Sequence, residues 1–345
     1  MDLTTVDGHA INLAVELIKE RLTAAWATDL RVHRLPPLTT VRYNYDMLYY
    51  PEDNASRSPR YSRYVTEDTL LRTHTSAMIP QLLPNVEADD ETLLCPGITY
   101  RRDVVDRLHT GEPHQMDIWR VSRKTLTQGD LRELIGHVIG AVLGDVEYRT
   151  APATHSYTQQ GLEVEVLWKG EWVEVLECGL AHPQVLKDAG LEGYTGLALG
   201  VGLDRLVMLR KGVPDIRALR ATDPRIADQM KNLDPWVEVS KHPNARRDIS
   251  VAMDASTTEE DVCEQVVKCL GEDAALLEEV ALRSVTLYSD LPPIAHKRLG
   301  MVPGQSNLLI RVALRDMAGS IPRQKANDLL TRIYSSLHAN EVGYG

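Results

Sequence analysis

The chain has 345 residues, 43% hydrophobic and 25% charged, with a formal net charge of −11. That is a globular composition with room for two or three domains, and it excludes a chain disordered throughout and a wholly basic nucleic-acid surface. No run approaches the roughly 20 apolar residues of a membrane span. The N-terminus carries Asp2 and Asp7 with no basic segment, so no signal or transit peptide is visible. Four scattered cysteines without a CxxC pair argue against a disulfide scaffold or a zinc site.

Residues 10–28 place Ile11, Leu13, Ala14, Leu17, Ile18, Leu22 and Ala25 at helical spacing, which predicts an amphipathic helix. Residues 31–65 are rich in Pro, Arg and Tyr without a sustained period and read as irregular. A second helix is predicted near 127–143, opening after Thr127, with Leu131, Leu134, Ile135, Val138, Ile139 and Val142 on one side. Residues 162–178 alternate apolar and polar about Gly170, the pattern of an antiparallel hairpin. A Gly-rich segment, 193–202, leads into a helical pattern from Leu203 to Arg210. The Asn-, Pro- and His-bearing stretch 232–245 reads as a domain boundary. Beyond it come a strand (248–253), a helix (258–270), a strand (279–289), a loop at Pro292 and Pro293, a strand (307–315) and a helix (322–338) opening after Ser320. This β-α-β-β-α order suggests a ferredoxin-like split βαβ sandwich. Nine acids stand against Lys268 in 254–279, so one face of this part can be basic while another is acidic.

One amino acid is missing. There is no Phe, although Tyr (13) and Trp (5) are present. At roughly one residue in twenty-five, about 14 are expected. Aromatic residues as a class are therefore not avoided.

Four constellations can carry chemistry. Gly200-Val201-Gly202 with Arg205 lets a nucleotide approach the backbone and offers a guanidinium to a base or phosphate, though alone it reads first as a glycine turn opening a helix. Tyr100-Arg101-Arg102-Asp103, followed by Asp106, His109, His114, Gln115 and Asp117, sets an Arg and an acid on one face of a strand. Alone it reads first as a charged hairpin. Arg72-Thr73-His74-Thr75-Ser76 aligns hydroxyls and an imidazole for a substrate headgroup, or caps a helix at Ser76. Glu174 and Glu177 are candidate Mg²⁺ ligands or solvent-facing acids.

These constellations fall in the segments LLRTHTSA, ITYRRDVVDRLHTGEPHQMD, GEWVEVLECGLAHPQVL and GLALGVGLDRLVML with PDIR, followed by HPNARRDISV. In that order the chain resembles the phenylalanyl-tRNA synthetases, class II aminoacyl-tRNA synthetases, in their single-chain mitochondrial-type form, over about residues 33–345. The resemblance implies an α+β protein, with a class II antiparallel sheet flanked by helices over 1–235 and a C-terminal ferredoxin-like anticodon-binding domain over 240–345. It implies phenylalanine–tRNA ligase activity with ATP as substrate, Mg²⁺ as cofactor and tRNA as partner, in a monomer or homodimer. It puts Arg101 on the α-phosphate and Arg205 on adenine and the γ-phosphate, with Asp103, Gly200 and Gly202 in the ATP site and Glu174 in the metal region. His74, Thr75, Ser76, Gln115 and Asp117 fall around the amino-acid headgroup, Asp117 standing where the family has Glu, and Ala198 forms the pocket floor. Arg246, Arg247, Lys297 and Arg298 are the basic residues expected on tRNA.

The ring pocket departs from the family. His155 and Tyr157 align with the two Phe of an FPFT-type motif, and both are substrate-site candidates. Pro113 and Leu199 replace two more Phe, and Ile226, Met230 and Val251 sit where relatives often have Phe. Glu177 in place of the Gly of a GCG motif, and Gln160 and Gly161 in place of Pro and Ser, are not explained by loss of Phe. A carboxylate beside an apolar ring is costly unless paired, so either Glu177 points away or the pocket holds something polar. Three functions follow: a phenylalanine ligase made without its own substrate, a paralogue for a more polar or hydroxylated amino acid, or a tRNA-binding relative that has lost activation. The first is expected, in a prokaryotic cytoplasm because no presequence is visible.

Overall fold

The structure is a computed structural model and describes residues 1–338. The described residues divide into two compact units, 1–101, 112–213 and 229–236 in the first and 102–111, 214–228 and 237–338 in the second.

The first unit is built on α1 (Ala10–Ala25), β1 (Asp29–Val32), β2 (Leu38–Thr40), α2 (Val41–Asn44), β3 (Thr69–Leu71), α3 (Ile79–Leu82), β4 (Asp90–Ile98), β5 (His114–Ser122), α4 (Gln128–Leu143), β6 (Tyr148–Pro152), β7 (Thr158–Trp168), β8 (Glu171–Ala181), α5 (Pro183–Asp188), β9 (Thr195–Gly202) and α6 (Leu203–Lys211). Seven strands form one sheet in the order β1-β4-β5-β9-β8-β7-β6, all antiparallel except β1 against β4. α4 starts where a capping box of Thr127 and Asp130 satisfies the first free amides. One face of the sheet buries Met116, Ile118, Leu176, Cys178, Leu197, Leu199 and Val201. α4 packs on β8 and α6 on β5, and both helices pack on α1. Period-2 alternation then turns the odd-numbered residues of β5 to the other face.

The Gly-rich segment 193–202, which had no predicted strand, supplies β9. The hairpin of β7 and β8 turns at Lys169 and Gly170, both at positive φ. No strand continues past the Ser62–Arg101 bridge, so the strand face expected to align Arg101 with Asp103 is absent. Among the described residues no helix is long and apolar enough to cross a membrane.

The second unit carries α7 (Pro224–Ala227), β10 (Ala245–Asp254), α8 (Glu259–Leu270), β11 (Leu277–Leu287), α9 (Pro293–Leu299), β12 (Gln305–Leu314) and α10 (Arg323–Leu337). Its antiparallel sheet has the order β10-β12-β11. Ile249, Val251 and Met253 of β10 pack with Val262 and Val266 of α8 and Leu330 and Ile333 of α10. Val104 and Val105 of the 102–111 segment join that core, Val105 bridges Val280, and Arg102 meets Glu264 at 2.7 Å. Two details differ from the sequence-based expectation. α9 occupies the expected loop, because Pro293 suits a helix N-terminus. α10 begins after Pro322 with no side-chain cap, so Ser320 is not its cap.

Candidate active site

The register of the large sheet assembles a row of backbone neighbours. Asp117 of β5 faces Gly200 of β9, which faces Glu177 of β8, which faces Glu163 of β7. Paired residues share a face, so Asp117 and Glu177 flank a glycine floor, roughly 10 Å apart at two strand spacings. One step along, Trp119 faces Ala198 and Ala198 faces Gly179. Glu174 and Glu177, three apart, would fall on opposite faces of a regular strand. A bulge prevents this: Leu176 pairs Val164 and Glu174 pairs Glu165, so Val175 is an extra residue and Glu174 returns to the face of Glu177.

At one end of the row Asp117 is buried. Thr75 Oγ1 donates to its carboxylate at 2.7 Å and Trp119 Nε1 at 3.4 Å, and the Ser76 hydroxyl adds a third bond. Burial still prevails and pushes the carboxyl up to about 6. Thr75 and Ser76 belong to a short 3₁₀ turn (Thr75–Met78); Ser76 serves this carboxylate and caps no helix. His74 stacks on Tyr50 at 5.4 Å and meets Tyr45 edge-on, with neither ring nitrogen in a well-formed hydrogen bond. Burial and the Arg101 charge push its imidazole down to about 4, so it is neutral. Gln115 is half-buried two residues from Asp117 on the same face.

An aromatic wall follows. Tyr157 stacks on Trp119 at 6.1 Å and on Tyr50 at 6.2 Å, and lies 6.0 Å from the His155 ring. Burial raises the Tyr157 and Tyr50 phenols, so both stay protonated. His155 Nε2 stands 3.3 Å from a Glu177 carboxylate oxygen, and this bond holds the Glu177 carboxyl below its usual range. The carboxylate is thus half-exposed and paired with His155, another residue that departs from the family. Gln160 and Gly161 have a backbone cause. Gln160 has φ +50°, and a Cβ on Gly161 would lie 2.5 Å from the Ala153 carbonyl oxygen, which closes the loop carrying His155 and Tyr157. Gly179 is equally tight, with Thr158 Cβ 2.7 Å from an added Cβ. Gly179→Ser is expected to cost about 1–3 kcal/mol of stability by overpacking a branched, buried neighbour; a melting temperature equal to that of the unsubstituted chain would reject that account.

At the other end stand the arginines. Arg205, in the first turn of α6, donates Nη1 to the Glu174 carbonyl oxygen at 2.8 Å and lies 3.9 Å from its carboxylate. Arg101 donates to the Tyr61 hydroxyl at 3.3 Å, and its charge acts on His74, Glu174 and Glu177. Asp103 falls in the second unit, where its carboxylate accepts from Val104 N at 2.9 Å. Among the described residues no group of three His, Cys, Asp or Glu is gathered as a metal site.

Tyr50, Tyr61 and Trp119 were not among the residues expected from the sequence. Trp119 shares the period-2 face of Gln115 and Asp117, which would have found it. Tyr50 and Tyr61 lie in the tract without a period and left no signal.

The four basic residues expected on tRNA fall on two elements of the second unit. Arg246 and Arg247 lie near the start of β10, and Lys297 and Arg298 lie on α9, which packs through Leu299 against Ala252 near its end. Arg246 faces away from α8 and α10, as does Arg311, which holds Asp248 by two 2.8 Å bonds; the Arg283 charge acts on the same carboxylate.

Residues 4–230 match the family model described as tRNA synthetases class II core domain (F). A chloroplastic/mitochondrial phenylalanine–tRNA ligase of Arabidopsis thaliana is 30% identical over 96% of this chain and 77% of its own length. The chain belongs to the phenylalanine–tRNA ligase family of class II aminoacyl-tRNA synthetases. A mitochondrial ligase of Dictyostelium discoideum is 32% identical over 59% of the chain, and a phenylalanine–tRNA ligase alpha subunit of Acaryochloris marina is 38% identical over 56%. The chain spans 51% and 59% of those two relatives. The expected prokaryotic cytoplasm does not stand, since two of these relatives are named for organelles.

Proposed function

We propose that the ligase activates phenylalanine with ATP and transfers it to tRNA. The buried Asp117 carboxylate, already holding Thr75 and Ser76, carries this reading: it is the counter-charge for a substrate ammonium. With Gln115 and neutral His74 beside it, Asp117 orients the amino acid with its ring against Tyr157, His155 and Ala198. The substrate carboxylate then attacks the α-phosphate, giving an aminoacyl-adenylate and pyrophosphate. A terminal ribose hydroxyl of tRNA attacks the acyl carbon and AMP leaves. Arg101 and Arg205 neutralise charge that grows on the phosphates, and the glycines at 200 and 202 leave room for the nucleotide.

Mg²⁺ fits this site only as a shared ion. Glu174 offers one carboxylate beside Arg205, and ATP phosphates would supply the other ligands. The ion would add positive charge on the phosphates. Arg246 and Arg311 on the sheet face away from α8 and α10, with Arg247, Lys297 and Arg298, suit the backbone of a tRNA anticodon arm, with 240–345 as the anticodon-binding domain.

ATP–pyrophosphate exchange with phenylalanine, tyrosine, histidine and ring-hydroxylated phenylalanines, side by side, tests the reading. Phenylalanine is expected to give the highest kcat/KM. The His155–Glu177 pair favours a second reading, in which a ring donor is preferred because it satisfies a carboxylate that a bare ring would only desolvate. On that reading Glu177→Gly lowers the hydroxylated-to-plain ratio of kcat/KM by about tenfold or more. An unchanged ratio removes Glu177 from specificity.

A further inference from the structure

We infer that this ligase is adapted to be synthesised, and to restore charged tRNA, when phenylalanyl-tRNA is itself scarce. The inference rests on the ligase reading and extends it to the conditions of use.

The missing Phe has no local explanation. In the substrate pocket His155 and Tyr157 stand at Phe positions, and a change of specificity could account for those, but not for Leu199, which is buried on the opposite face of the sheet beside Ile118 and Cys178. It cannot account either for Ile226, Met230 and Val251, which are buried and have no part in the site described above. Nor is it an aversion to rings, because Trp119 and Tyr45 are the largest fully buried side chains. The other ten of the twelve largest are Ile, Leu or Met. Where a core needs aromatic bulk, the chain uses a ring with a polar atom and then supplies a partner. The Tyr45 hydroxyl bonds Ser62 Oγ and the Ser56 carbonyl oxygen, and Trp119 Nε1 reaches Asp117. Phe would need no such partner, whereas a buried hydroxyl left alone costs about 1–3 kcal/mol. The substitution is thus general, spans both units and requires compensation. The one property these positions share is the amino acid avoided, and it is the enzyme's own substrate. A ligase that contains Phe needs its own product to be made. This chain does not, so its translation continues when that product runs low.

The test uses the full-length chain in a host auxotrophic for phenylalanine, with a tRNA that the purified enzyme charges expressed beside it. The unsubstituted chain is compared with a variant carrying Leu38→Phe, Val65→Phe and Tyr148→Phe, three exposed positions outside the site. Equal melting temperatures and equal aminoacylation by the two purified proteins establish that both fold and work. In ample phenylalanine the two accumulate equally. After a shift to limiting phenylalanine, the unsubstituted chain is expected to reach a several-fold higher full-length level and to restore a several-fold higher charged fraction of the tRNA. Equal accumulation and equal recharging under limitation would overturn the inference. If the purified chain forms no phenylalanyl-tRNA at all, the ligase reading itself fails, and that result is separate from the growth experiment.

Discussion

Arg205→Ala is expected to lower kcat/KM for ATP in pyrophosphate exchange by about 10²–10³-fold, the usual consequence of removing one preorganised charge from a developing phosphate transition state. The guanidinium is fixed from two directions. Its Cα sits in the first turn of α6, and its Nη1 is held 2.8 Å from the Glu174 carbonyl oxygen, so little ordering remains when phosphate arrives. The bulge at Val175 matters here, because it brings Glu174 to the face that Arg205 approaches. Arg205→Lys is expected to recover little, since an ammonium cannot hold the carbonyl and bind phosphate in a fork. Thermal unfolding should barely change, because Arg205 is a partly exposed side chain on a helix already packed by Leu203, Leu206 and Val207. A fall in exchange smaller than tenfold, with ATP subsaturating, would take Arg205 out of the phosphate site.

What could be read in the sequence was whatever local periodicity decides. Helix α1, the capped start of α4, the β7–β8 hairpin and the β-α-β-β-α order follow from spacing, caps and turn residues. Arg205 and Asp117 were legible only through the family resemblance of their segments, because spacing alone reads first as a glycine turn and a charged hairpin. The pairing of Glu177 with His155 was not, because it joins residues 22 apart through register. The same holds for Glu174, whose face is set by one extra residue that no alternation pattern reveals. Tyr50 packs on His74 and Tyr157 from an irregular tract, where side-chain direction depends wholly on tertiary contacts. Gln160 and Gly161 looked like pocket changes in the sequence, and in the fold they serve a left-handed turn and a close backbone approach.

Asp117 sets the acid limit of activity. Its carboxyl titrates at about 6 because burial outweighs three hydrogen-bond donors. Only the carboxylate pairs with a substrate ammonium, and that ammonium stays protonated well above this pH. KM for phenylalanine should therefore be flat above pH 7 and rise about tenfold per unit below 6. Stability moves in the opposite direction. A carboxyl whose folded pKa lies above its unfolded value of 3.8 favours the folded state while neutral, and that contribution is lost as pH rises through about 6. Holding the buried charge therefore costs the ligand-free protein about 3 kcal/mol at neutral pH. A bound ammonium returns part of that, so phenylalanine should raise the melting temperature more at pH 7.5 than at pH 5. Asp117→Asn removes the charge and is expected to cost about 10–100-fold in kcat/KM for phenylalanine, the value of one charged hydrogen bond. It should also abolish the acid limb and the pH dependence of the thermal shift. His74 is already neutral in this range, and the Tyr157 phenol and the Cys95 thiol are both raised by burial. An acid limb that survives in Asp117→Asn belongs to another group, and Asp117 would then lose its place as the ammonium's partner.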